Sequence, residues 1–271
     1  MNVHPIDVLE PETREFYCQA LGLLNQADTP FMIGGAYAFD RYTGIARHTK
    51  DLDLFARASD VPAILDVFAQ AGYETEVAVS HWLAKARNGE NFVDIIFRSA
   101  NGLLPVDDSW LEHAVEDTVL DIPVLLCAPE EMIWSKSFVM SRDRYDGADV
   151  AHLILACGER LDWERMLEHF SDHWRVLLSH LVLFGFIYPG KRSQVPIWVI
   201  QKLYQRLEQE SNQPPVQTSL CQGTLLAPLQ YKTDVEKWDY QDARLQPVGN
   251  LHPSDITAWV EHLQEETGNP C

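Results

Sequence analysis

Residues 31–55, "FMIGGAYAFDRYTGIARHTKDLDLF", decide how this chain folds. The apolar run Phe31-Met32-Ile33 stops at two adjacent glycines, Gly34 and Gly35, and a helical pattern follows to Gly44. That order reads as strand, tight turn, helix. The next strand, over 50–56, carries Asp51 and Asp53 at alternate positions. Both carboxylates then point to one face, and Leu52 and Leu54 point to the other. Two like charges held side by side repel unless something positive sits between them. A divalent metal is the expected occupant.

A third aspartate breaks the apolar strand "NFVDIIFR", residues 91–98. An unpaired charge at Asp94 would be expensive to bury. A salt bridge to an arginine such as Arg87 or Arg98 is one solution, and a metal is the other. Three carboxylates on neighbouring strands offer the oxygen ligands that Mg²⁺ takes. Two such ions can hold the attacking and leaving oxygens of a phosphoryl displacement.

Around these strands, 10–27 reads as a leading helix and 58–72 as a helix capped by Ser59 or Asp60 and stopped by Gly72. Residues 74–80, 81–88 and 91–98 read as strands, the last two joined by the turn-type sequence "NGEN". "TVLDIPVLLC" closes the region as one or two extended segments. From Pro129 the period becomes helical, with a break expected near Gly147. The chain is therefore expected to hold an α/β domain over 1–128, a helical domain over 129–210 and an accessory segment over 211–271.

The 271 residues are 46% hydrophobic with eight Trp and eleven Phe, enough for real cores and too apolar for disorder. Five scattered cysteines, none in a CxxC pair, fit neither a disulfide framework nor a structural zinc site. No apolar run reaches the roughly 18 residues needed to span a bilayer. The first residues carry neither a basic region nor an apolar leader. A cytoplasmic protein without a membrane partner is expected. The 40 acidic residues outnumber 21 basic ones, for a net charge of −19. Extended nucleic acid is therefore disfavoured as a partner, although a local basic cleft could take a tRNA end.

The order Gly-Gly, spacer, Asp-Leu-Asp-Leu, later strand with a central Asp resembles the nucleotidyltransferase superfamily that includes DNA polymerase β. The resemblance covers residues 30–97. It implies a mixed β-sheet flanked by helices, an α/β (α+β) fold, followed here by a helical domain. It implies transfer of a nucleoside monophosphate from an NTP to an acceptor, with release of pyrophosphate and with Mg²⁺ or Mn²⁺ as cofactor. The implied metal ligands and catalytic carboxylates are Asp51, Asp53 and Asp94, with Asp94 helping to deprotonate the acceptor. Gly34 and Gly35 would cradle the triphosphate. Arg47 and Thr49 complete an "R-x-T-x-D-x-D" form that recurs in several bacterial branches, and would add nucleotide contacts. Many members have Gly-Ser where this chain has Gly34-Gly35; Gly-Gly occurs in antibiotic-modifying and uncharacterised branches.

The segment "IWSKSFVMSRDRYDGADVAHL" is similar to the lysine and later "RxxDxxDL" of abortive-infection toxin-type nucleotidyltransferases. By that similarity Lys136 would neutralise phosphate charge, and Asp146 or Asp149 would line the acceptor side or orient the lysine. The apolar neighbours Ile133, Trp134 and Phe138 suggest that this helix packs on the first domain. Arg175 and His180 form an R-x4-H, the loose pattern of a helical ribonuclease family. A non-catalytic nucleotide- or partner-binding protein of the same fold, and a toxin acting on tRNA, are the alternative readings. The acceptor is open at this level.

Overall fold

The structure, a computed structural model, describes residues 9–46, 51–214 and 218–267, with side chains to 262. The chain divides into two units, 1–128 with 244–271, and 129–243. Residues 211–243 of the expected accessory segment thus group with the helices, and 244–271 with the sheet.

The first unit begins with α1 (Pro11–Gln26), then β1 (Met32–Ile33), α2 (Gly35–Thr43), β2 (Leu52–Phe55) and α3 (Val61–Gln70). It continues with β3 (Glu74–Val79), β4 (Leu83–Asn88), β5 (Asn91–Ile96), the short α4 (Asp108–Glu112), β6 (Val115–Val119) and β7 (Ile122–Leu126). The strands form one mixed sheet in the order β3-β4-β5-β2-β1-β7-β6. β5 runs parallel to β2 and β7 parallel to β1, while the remaining neighbours are antiparallel. This is the expected mixed α/β sheet.

Alternation explains the sheet's sidedness. Leu52, Leu54, Ala84, Ala86, Val93 and Ile95 all point to one face and are fully buried. α1 buries Phe16, Tyr17, Ala20, Leu21 and Leu24, and α3 buries Val61, Ile64 and Phe68, each at helical spacing. Each large side chain buried in this way contributes about 1.5–3 kcal/mol. Phe68 stacks on Tyr73, which stacks on Phe16. Asp60 stands at the N-cap of α3, but its carboxylate pairs with Arg57 at 2.6 Å and makes no capping bond.

The second unit holds α5 (Pro129–Ser137), α6 (Gly147–Cys157), α7 (Trp163–Phe170), α8 (Trp174–Ile187) and α9 (Ile197–Ser211). A short β8 (Leu220–Cys221), α10 (Lys232–Lys237) and β9 (Gln241–Asp242) follow. The helical period breaks earlier than Gly147. Residues 138–146 lie outside any helix, with an antiparallel bridge between Met140 and Tyr145.

α11 (Pro253–Thr267) returns to the first unit. Its Trp259 joins Val79 and Leu83 in one core cluster. No helix among the described residues is long and apolar enough to cross a membrane.

Candidate active site

Asp53 and Asp94 stand directly opposite one another in the parallel register of β2 and β5. Asp51 lies two residues before Asp53, on the same face. One carboxylate oxygen from each of the three lies within 4.8 Å of the others. The three aspartates singled out in the sequence are therefore brought together. This donor set fits a hard divalent cation.

The glycine turn is built around the same carboxylates. Gly35 opens α2 with φ +53°, a left-handed conformation that costs other residues energy. A Cβ on Gly35 would overlap the Asp53 carboxylate, and one on Gly34 would overlap the Phe55 ring. The Gly34 N–H donates to the Asp53 carbonyl at 3.0 Å, tying the turn to β2. The α2 N–H groups that a helix leaves without an intrahelical partner therefore begin at Gly35.

Two further groups surround the cluster, and neither was singled out from the sequence. Lys85, only 5% exposed, donates from Nζ to Asp94 Oδ1 at 2.7 Å. Asp94 therefore pairs with a lysine of β4, and not with Arg87 or Arg98. Arg87 turns to Glu76 and to the Phe92 ring. The second group is Tyr17 of α1, whose hydroxyl is pushed well above its ordinary pKa by burial and then by the charges of Asp51, Asp53 and Asp94. It stays protonated beside the acidic cluster. The Cys127 thiol is pushed up in the same way, by burial and by Asp53.

Arg47 and Thr49 lie outside the described residues, as does His48.

Residues 18–124, which contain both glycines and all three aspartates, match the family described as aminoglycoside-2''-adenylyltransferase. That match marks residues 18–124 as nucleotidyltransferase-like. No curated protein matches the chain. Among solved structures, the solution structure of antibiotic-resistance factor ANT(2'')-Ia is 16% identical, covers 64% of this chain and 98% of its own, and has a TM-score of 0.46. A crystal structure of ANT(2'')-Ia with adenylyl-2''-tobramycin is 16% identical, covering 60% of this chain and 99% of that one with a TM-score of 0.46. Lincosamide antibiotic adenylyltransferase LnuA, bound to lincomycin, is 17% identical, covers 52% and 95%, and has a TM-score of 0.38.

The helical unit holds Lys136 in an ion-pair cluster. Its ammonium donates to Asp149 at 2.9 Å and to Asp146 at 3.4 Å. Burial pushes the Asp146 carboxyl up, but Arg144 and Lys136 outweigh it and hold the group below its ordinary range. Ile133, Trp134 and Phe138 are buried, and Trp134 packs with Phe138 and Phe170 of this same unit. His180 is 2% exposed and bonds the Ser137 carbonyl at 2.9 Å, while Arg175 pairs with Glu210 at 2.8 Å. Each member of the R-x4-H pattern thus has a packing partner within the helices.

Proposed function

We propose that the chain transfers the adenylyl group of ATP to a hydroxyl of a small cationic acceptor, an aminoglycoside or a similar polyamine sugar, with release of pyrophosphate. The observation that carries this reading is the clustering of Asp51, Asp53 and Asp94, with oxygens within 4.8 Å, beside a glycine turn that opens a helix. The family matched by residues 18–124 supports adenylyl as the transferred group and an aminoglycoside as the acceptor class. The net charge of −19 supports a cationic acceptor, because an acidic surface concentrates and steers positive ligands.

Asp51, Asp53 and Asp94 would hold Mg²⁺ or Mn²⁺. When bound, the divalent cation supplies charge neutralisation and polarisation at phosphate oxygens. The chain's own groups do the rest. The N–H groups at the start of α2, from Gly35 onward, donate to triphosphate oxygens at the positive end of the helix dipole. Gly34 keeps that turn close to β2. Asp94 accepts the proton of the acceptor hydroxyl as its oxygen bonds to the α-phosphorus. The bond from that phosphorus to the oxygen of the departing pyrophosphate breaks in the same displacement. Arg47, Thr49 and Lys136 join the proposal as nucleotide contacts by the superfamily resemblance.

The test is incubation with ATP, Mg²⁺ and a panel of aminoglycosides beside a neutral polyol, read by mass spectrometry. A cationic acceptor should gain one adenylyl group and the polyol none. Adducts on the polyol alone, or on no acceptor, would overturn the reading.

A further inference from the structure

Lys85 is a buried cation aimed at one oxygen of a catalytic carboxylate. The side chains of Lys85 and Asp94 are 6% and 13% exposed, and Nζ lies 2.7 Å from Oδ1. The antiparallel register of β4 and β5 sets Lys85 opposite Asp94, and the parallel register of β5 and β2 sets Asp94 opposite Asp53. One row across three strands thus reads cation, anion, anion. The Lys85 ammonium also lies 4.9 Å from the Phe92 ring centroid, which restricts where its stem can go.

Stability alone accounts poorly for such a pair. Burying two charges costs solvation that their attraction repays only with good geometry, and apolar replacements often fold as well. What the pair does supply is orientation and charge. One Asp94 oxygen is committed to a protein cation, so the carboxylate is held in one rotation. The local charge of the acidic cluster is reduced by one unit.

We propose that Lys85 is a positioning residue: it fixes the rotation of Asp94 and weakens the grip of the three carboxylates on the divalent cation to the level that turnover requires. This rests on the adenylyl-transfer reading above.

The two effects pull measurable quantities in opposite directions. Lys85→Met removes a positive charge beside the cluster, so Mn²⁺ should bind more tightly, roughly tenfold. Transfer should nevertheless slow by about 10–100-fold, with KM for ATP little changed, because the carboxylate is no longer oriented. Lys85→Arg keeps the charge and should keep the wild-type Mn²⁺ affinity, while its planar fork restores only part of the rate. Mn²⁺ affinity is read by calorimetry and by the electron paramagnetic resonance of free Mn²⁺. The rate is read as pyrophosphate release with ATP and an aminoglycoside. A purely structural lysine would lower affinity and rate together. Mn²⁺ affinity that is equal or weaker in folded Lys85→Met, or an undiminished rate, overturns the role of Lys85. Should Lys85→Met not fold, Lys85→Gln is judged by the same two outcomes. Failure of the wild type to bind Mn²⁺ would instead overturn the adenylyl-transfer reading itself.

Discussion

The Asp53 carboxylate occupies the space in which any other residue at position 35 would carry its Cβ. Gly35 therefore has two duties: it supplies φ +53° at the start of α2, and it lets the Asp53 carboxylate approach the backbone. Gly35→Ala should destabilise the protein by about 1–3 kcal/mol, from left-handed strain plus displacement of Asp53. It should also abolish the rise in melting temperature that the proposed metal site predicts for the wild type with Mn²⁺. Denaturant unfolding and thermal shift check both, and wild-type behaviour in the two would show that the turn and the carboxylate are independent.

Asp53→Asn separates charge from packing. Asp53 faces Asp94 across the sheet with Asp51 nearby, so removing one negative charge relieves repulsion. Without metal the variant should be as stable as the wild type or more so. With Mg²⁺ and ATP its melting temperature should rise far less. A large loss of metal-free stability would mean that Asp53 serves a structural ion pair.

Lys136 gives the helical unit a comparable test with the opposite sign. Its ammonium holds Asp146 and Asp149 together, and in Lys136→Ala only Arg144, on Asp146, would remain to offset their repulsion. The expected cost is about 1–3 kcal/mol for charge-assisted bonds in a half-buried place, read from denaturant midpoints. Lys136→Arg should recover most of it. ATP affinity by calorimetry should fall in Lys136→Ala and be poorly restored by arginine if the same ammonium also serves the nucleotide.

His180 makes the stability of the helices depend on pH. Burial holds its imidazole below the ordinary pKa, and the bond to the Ser137 carbonyl offsets only part of that. As pH falls below about 6.5, the unfolded chain takes up a proton that the folded one resists. Stability contributed by the neutral ring is therefore present above that pH and is lost on acidification toward the lower folded-state pKa. His180→Gln can still donate to the Ser137 carbonyl but does not titrate. Its melting temperature should fall less steeply than that of the wild type between pH 7.5 and pH 5.5, and equal slopes would exclude His180 as a source.

The acidic cluster was legible in the sequence because period-two alternation fixes which side chains share a face. Asp53 on β2 with Asp51 just before it, and Asp94 inside an apolar strand, needed no tertiary information. Lys85 was within reach but was passed over. A two-residue turn at Gly89-Glu90 pairs Asn88 with Asn91, and counting back along both strands pairs Lys85 with Asp94. Other features depend on contacts between distant residues that no local period reports. Trp259 reaches Val79 and Leu83 from far along the chain, and Lys136 finds Asp149 only after residues 138–146 leave the helical path. The charged run "SRDRYDGAD" carried the signal of that break, since Asp146 precedes the first turn of α6.

The most direct test of the central claim uses ATP labelled at the α- or the γ-phosphate, with Mg²⁺ and an aminoglycoside, on the wild type and on Asp94→Asn. Adenylyl transfer at the three-aspartate site predicts an acceptor labelled from α-labelled ATP only. It also predicts loss of that product in Asp94→Asn, while the variant still binds ATP. Label arriving from the γ-phosphate, or product formed by Asp94→Asn at the wild-type rate, would contradict it.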